Sequence, residues 1–314
     1  MTTTTEPREP VGADVAATPP PVNPVKRPDA LRGWLYMAPF AVAFIMFLVW
    51  PTVSGLWMSF TGRSLTGANA DPIGFENYAE AFADPEVWSS LWNTIWFTVL
   101  TTVPLVILPL LFATLVNSGV KGQWLWRLSI FMPYLFASTV ISQIWIWLYN
   151  PELGLVNEVL RWVGIGPIAW LQDPNTAMLA VVIATVWWTI GFNFLLYLSA
   201  LQAIPDQLYE AASLDGAGTW RQFWSITVPQ LAPTTVLVLI LQILASLKVF
   251  DQIYQMTAGG PGGATRPILQ YVYEVGFTGY RLGYASAISY LFFFLIILVS
   301  IVYMMINSRR GARS

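Results

Sequence analysis

Six stretches of this chain, approximately 34–60, 89–116, 125–149, 177–203, 234–257 and 285–306, run on with almost no charged residue. Each exceeds the roughly 20 apolar residues that a helix needs to cross a bilayer. Lipid offers no hydrogen bonds, so a segment of this kind must satisfy its backbone internally, as a helix. Composition agrees: 56% of the residues are hydrophobic and only 10% charged, too little charge to clothe a soluble surface. The expected fold is therefore all-α, with six transmembrane helices occupying residues 31–314. Polar connections fall at 61–88, 150–176 and 258–284. Residues 1–30, rich in Thr, Pro, Ala and Val, are expected to form a disordered tail. They do not resemble a cleavable secretory signal, because they carry acidic residues and the first apolar run begins only near Trp34.

Lys and Arg set the orientation. Lys26, Arg27 and Arg32 precede the first window, Lys121 lies between the second and third windows with Arg127 at the start of the third, and Arg309, Arg310 and Arg313 follow the last window. With six crossings all of these share one side, so both termini and the 204–233 loop are expected in the cytoplasm. Arg63, Arg161, Arg266 and Arg281 fall on the other side, in longer loops. Trp34, Trp50, Trp88, Trp92, Trp124 and Trp126 lie near window ends, where interfacial anchors belong. The chain has no Cys and no His, which removes disulfides, thiolate nucleophiles, zinc sites and imidazole bases together. A net charge of −2 gives no footing for nucleic acid.

The loop between the fourth and fifth windows reads IPDQLYEAASLDGAGTWRQFWSITVPQLAP. Pro205 and Asp206 offer a start with Asp206 as N-cap, and Gln207–Leu214 continue without breakers. Asp215-Gly216 supplies a turn, with Gly216 suited to a left-handed C-cap. Thr219 can cap a second helix, whose Trp220, Phe223, Trp224 and Thr227-Val228 share one face before Pro229 and Pro233 end it. An aromatic stripe of this kind, at a membrane surface, fits against another protein.

Within this loop Glu210-Ala211-Ala212, Asp215-Gly216-Ala217, Phe223, Ile226, Pro229 and Leu231 resemble the EAA motif of permease subunits of ABC importers. The likeness continues through Gly74-Phe75-Glu76-Asn77-Tyr78, Asn93-Thr94, Pro133 and Gly154-Leu155-Val156-Asn157. It is strongest at Phe250-Asp251-Gln252-Ile253-Tyr254-Gln255-Met256-Thr257-Ala258-Gly259-Gly260-Pro261, and Gly283–Ala287 open the last window in the family manner. The pattern is most similar to the first permease of carbohydrate importers of the maltose and glycerol-phosphate type. That resemblance implies a multi-pass bacterial cell membrane protein. It implies a second, different permease as partner, two copies of a cytoplasmic ATPase, an extracytoplasmic solute-binding protein and surrounding lipid. ATP and magnesium would be bound by the ATPase, and no cofactor by this chain, which has no G-x-x-x-x-G-K-[ST] phosphate loop.

By the same resemblance the first loop helix sits in a cleft of the ATPase. Tyr209, Ala211, Ala212 and Leu214 would dock, Glu210 would pair with a basic residue, and Asp215, Gly216 and Ala217 would form the reversal. The substrate path would run past the middles of the flanking windows, where Thr185, Trp188, Thr189, Phe192, Asn193, Gln242 and Ser246 stand. Aromatic faces beside hydroxyl and amide groups suit a sugar, and helix–helix packing explains the same residues equally well. Lys248 is a charge deep inside a window, and Asp251, one helical turn on, could pair with it. Alternatives remain open: an importer of glycerol-phosphate or another small polar solute, a membrane-embedded transferase, or a scaffold. A transferase would need an acidic cluster, and Asp71, Glu76, Glu80, Asp84 and Glu86 read instead as a solvated surface.

Overall fold

A computed structural model describes residues 30–311 apart from 69 and 120, with side chains placed for 35–301 apart from 69, 120 and 299. The expected tail, 1–30, lies outside these residues except for Ala30, which opens α1. The described residues fall into two compact units, divided after Thr52. The first holds α1 (Ala30–Phe44) and a π turn at Ile45–Val49, and α2 (Trp50–Ser59) begins there. The second contains α3 (Glu76–Ala83), α4 (Pro85–Asn117), α5 (Gln123–Phe131), α6 (Ser138–Leu148), α7 (Leu155–Trp162) and α8 (Pro174–Leu201). It continues with α9 (Asp206–Leu214), α10 (Thr219–Gln222), α11 (Val228–Gln230), α12 (Ala232–Leu247), α13 (Asp251–Met256), α14 (Ile268–Tyr273) and α15 (Leu282–Gly311). Among the described residues the only β pairing is an isolated bridge between Thr61 and Pro72.

The two longest interior helices begin alike. Asp84 precedes Pro85 and accepts from the Glu86 backbone N–H, while Asp173 precedes Pro174 and accepts from that of Asn175, both at 2.9 Å. An Asp N-cap satisfies an orphan donor, and a proline just inside the helix gives up an N–H that had no partner there. α4 and α8 then pack against each other, Phe97 of α4 sharing one buried cluster with Ala180, Val181 and Ala184 of α8. Thr94, Thr98 and Thr101 of α4 are buried, and each returns its hydroxyl to the carbonyl four residues back. Gly191 lets α8 approach α5 closely: a Cβ there would stand 2.6 Å from the Ile130 carbonyl oxygen. Close backbone approach through small residues is how helices pack where lipid supplies no hydrophobic driving force.

Among the described residues three helices are long and apolar enough to cross a membrane: Leu35–Ser59, Pro85–Asn117 and Pro174–Leu201. Two bent pairs raise the number to five, and Leu282–Leu298 is a shorter apolar helix. The window at 125–149 is not one straight span. Gln123–Leu135 and Ser138–Leu148 meet at 102°, because Pro133 lies in a 3₁₀ turn and Phe136 and Ala137 are extended. The window at 234–257 is likewise displaced. α12 ends at Leu247, and its bent continuation lies on the N-terminal side, where Thr219–Gln230 joins it at 64°.

Candidate functional site

The polar excursion between α8 and α12 folds as a helical hairpin. α9 starts at Asp206 with Pro205 in the N-cap position and no side-chain cap, so Asp206 is the first helical residue and not the cap. There its carboxylate still meets the positive end of the helix. Likewise Gly218, not Thr219, precedes α10. The turn between them follows the glycine. Gly216 has φ +75°, its N–H bonds to the Ser213 carbonyl at 3.0 Å, and Ala217 N–H reaches the Ala212 carbonyl at 2.9 Å. These are the paired bonds of a Schellman C-cap. Pro229 does not end the second helix, which runs on to Gln230. The π turn Phe223–Thr227 ahead of it, closed by Val228 N–H to the Phe223 carbonyl, widens the ladder before the proline ring.

Neutral side chains brace the hairpin. Tyr209 and Thr227 share a hydroxyl bond of 2.9 Å, and Gln222 donates to Ser213 Oγ at 2.9 Å and to the Ala217 carbonyl at 3.0 Å. Leu231 is buried against Ala113, Val116, Phe194 and Tyr197, which fixes the hairpin's end to α4 and α8. The outer surface is open. Leu214 is 89% exposed, and Glu210, Ala211, Asp215 and Gly216 are exposed beside it, with Ala212 and Ala217 partly covered. A notch of about 210 Å³ opens between Ala212, Asp215, Ala217, Arg221, Gln222 and Ser225. So the structure brings Tyr209–Ala217 together as one projecting tip.

The residues picked from the flanking windows separate into three places. Asn193 is 2% exposed and donates to the Leu105 carbonyl at 2.9 Å and to Gln242 Oε1 at 3.2 Å. Gln242 in turn donates to Ser246 Oγ, and Ser246 shares a bond with Thr101, both at 2.9 Å. These four form a continuous, buried chain across α4, α8 and α12. Trp188 and Phe192 lie instead beside the α5–α6 bend. The indole of Trp188 donates to the Phe136 carbonyl at 3.1 Å, and Phe192 stacks on Tyr134 with centroids 5.5 Å apart. Thr189 bonds to the Thr185 carbonyl within α8. Lys248 and Asp251 are elsewhere again, both exposed, at the link between α12 and α13. Lys248 is not a charge within a helix. It is the residue that closes α12, where a cation meets the negative helix end. Since the helix stops there, Asp251 does not follow on the same face, and no ion pair joins the two among the described residues.

A second polar region was not legible in the sequence. Asp84 accepts from the hydroxyls of Tyr271 at 2.5 Å and Tyr284 at 2.7 Å. Glu80 holds Arg281 through two bonds, and Arg266 pairs with Glu86 and Glu274. Burial, then the bond to Asp84, raises the Tyr271 hydroxyl pKa, which keeps it a donor. The bond to Glu80 likewise raises that of Arg281. Glu80, Asp84 and Glu86 are thus ion-pair and hydrogen-bond partners and not merely a solvated surface. The one available signal was opposite charge: an acidic connection at 71–86 and lone arginines at 266 and 281. The asparagines of the matched motifs serve the same region and its neighbours. Asn93 donates to the Gly263 and Arg266 carbonyls, Asn77 to those of Ser59 and Thr61, and Asn157 holds Ile168 and Trp170.

Residues 34–311 match the family described as "Binding-protein-dependent transport system inner membrane component". A sulfoquinovosyl glycerol transport system permease of Agrobacterium fabrum is 38% identical over 88% of this chain and 91% of its own length. The trehalose/maltose transport system permease MalF of Thermococcus litoralis is 37% identical over 91% and 97%. Among solved structures, a bacterial ABC transporter involved in import of the acidic polysaccharide alginate superposes with a TM-score of 0.77. It is 25% identical, over 90% of this chain and 97% of that one.

Proposed function

The chain belongs to the family of inner membrane components of binding-protein-dependent transport systems, and from that premise we propose that it is one of two permeases in a carbohydrate importer, carrying ATP-driven motion from its α9–α10 hairpin into the membrane. It is a multi-pass membrane protein and a permease subunit of an ABC importer, a role in which ATP hydrolysis resides in a separate subunit. The transferase reading does not survive the family match.

In this proposal there are six crossings: Leu35–Ser59, α4, the bent pair Gln123–Leu148, α8, α12 and α15. Both termini and the hairpin face the cytoplasm of a bacterial cell. The second permease, two ATPase copies that bind ATP and magnesium, and an external solute-binding protein complete the assembly. One observation carries the assignment of the hairpin: a rigidly capped, cross-braced tip projects from the core-fixed Leu231 and leaves Glu210, Leu214 and Asp215 exposed. Pushing such a tip moves what it is fixed to, α12 and the face of α4 and α8, as a rigid body. Glu210 pairs with a basic residue of the ATPase, and Tyr209, Ala211, Ala212, Leu214 and Ala217 shape the apolar contact around the Gly216 turn.

The solute is a sugar, oligosaccharide or glycoside, as the names of two relatives support, and glycerol phosphate, named for other relatives, is the alternative. Trp188, Thr189 and Phe192, grouped at the α5–α6 bend with Tyr134, offer it aromatic faces and a hydroxyl. Lys248 and Asp251 offer charge at the end of α12. Asn193 and Ser246 act on it only if their buried chain opens. Uptake of labelled sugar into proteoliposomes holding the complete importer tests the hairpin. Glu210→Lys is expected to insert normally and to abolish ATP-dependent uptake. Normal uptake by that variant would remove the hairpin from the coupling path.

A further inference from the structure

The hairpin has two sides of opposite character. The charged residues of α9 and its turn, Asp206, Glu210 and Asp215, are all acidic. From Thr219 to Leu231 the only charge is Arg221, and the same stretch carries Trp220, Phe223 and Trp224. These three rings touch one another, with centroids 5.2–6.1 Å apart, yet Trp220 remains 74% and Trp224 54% exposed. The indole N–H groups of Trp220 and Trp224 make no hydrogen bond among the described residues.

Direction separates the two sides further. Trp220, Phe223 and Trp224 fall on the stripe that continues to Leu231, which is buried against the bundle, while Thr227 at the edge of that stripe bonds to Tyr209 of α9. Gln222, about 200° round the helix from Trp220 at ~100° per residue, is the residue that holds α9 through Ser213 and Ala217. The aromatic side therefore looks toward the membrane-crossing helices and the acidic helix away from them. The segment Thr219–Gln230 also leaves α12 at 64°, so with α12 near the bilayer normal it lies closer to the membrane plane than to the normal.

We infer that Trp220, Phe223 and Trp224, flanked by Arg221, are seated in the phospholipid headgroup region of the bilayer and not against the ATPase. This rests on the proposed coupling role of the hairpin, whose protein contact it confines to α9. The chemistry is that of an interfacial helix: amphipathic indoles bond to headgroup oxygens with N–H and bury their rings, while a cation on the flank meets lipid phosphate. An acidic α9 would be repelled by the same surface. The segment then acts as a pivot: lipid holds the aromatic stripe while the α9 tip is displaced.

The chain contains no cysteine, so a single introduced cysteine is the one labelling site within it. Trp224→Cys, Trp220→Cys and Leu214→Cys, each labelled with the fluorophore NBD, are placed in the complete importer in nanodiscs, with or without the ATPase. A phospholipid bearing a headgroup nitroxide should strongly quench positions 220 and 224 in both states and leave 214 unaffected. Iodide should reach 214 freely until the ATPase is added. Iodide access to 224 that only the ATPase abolishes would overturn the inference and assign the aromatics to that protein. Iodide access to 220 and 224 in both states would overturn it too. Lipid quenching at 224 without ATPase shielding at 214 would uphold the membrane contact while removing the coupling role of α9. Two tryptophan positions are used so that misfolding of one variant cannot decide the result.

Discussion

The α9–α10 hairpin and the clasp formed by residues 76–94 with 257–284 are both polar, and they handle charge in opposite ways. In the clasp, Glu80, Asp84, Glu86 and Glu274 meet Arg266, Arg281, Tyr271 and Tyr284. In the hairpin, Asp206, Glu210, Asp215 and Arg221 join no ion pair among the described residues, and neutral groups do the bracing. A region whose charges are satisfied internally is tied to its own chain. A region that is stiff but leaves its charges open is shaped to be gripped from outside. The difference teaches where force can enter this molecule and where it is resisted.

The largest expected effect breaks the hairpin's stiffness. Gly216→Pro cannot adopt φ +75°, so ATP-driven uptake should vanish while the protein remains in the membrane fraction. Gly216→Ala sharpens the point: no atom lies within 4 Å of the added Cβ, so its cost is only left-handed strain of about 1–2 kcal/mol, and uptake should fall only partly. Next, Asp84→Ala attacks the clasp. It leaves two tyrosine hydroxyls and a helix N-terminus without their acceptor, at about 2–4 kcal/mol. A thermal unfolding scan should show clear destabilisation, with coupling of the remaining folded importer intact. If uptake per folded molecule were lost as well, the two regions would not be mechanically separate.

Smaller effects test the buried chain between them. Asn193→Leu and Gln242→Leu in a double-mutant cycle should show a coupling energy of about 1 kcal/mol, with KM for the solute unchanged. A raised KM without lost stability would assign these residues to the solute path. Smallest is Glu80→Gln. Both partners of its pair are about half exposed, so stability should change by less than about 1 kcal/mol, and by less still at high salt.

How much of this could be read beforehand depends on range. α4 and α8 were legible because a long apolar run is a local feature, although the windows at 89 and 177 missed the Asp-Pro starts at 84–85 and 173–174. The Gly216 turn was legible for the same reason, since only its own backbone demands the glycine. The breaks at Phe136 and Lys248 were not, because a hydropathy window measures transfer into lipid and is blind to whether the helix stays straight. Asn193, Gln242 and Ser246 stood out as polar residues in apolar runs, but whether each faces another or a cavity depends on the rotation of three helices. The clasp joins residues 187–201 positions apart, and no local pattern reaches that far.

The sequence alone determined that the chain lies in membrane, that it is helical, that it holds no phosphate loop, and that one loop is a glycine-reversed helical hairpin. Those follow from composition and from short-range backbone geometry. Tertiary structure alone decided which acids are paired and that Lys248 caps a helix. It also decided that the aromatic stripe and the acidic helix of the hairpin look in different directions. Each of these depends on how distant segments are rotated against one another, and rotation is set by packing.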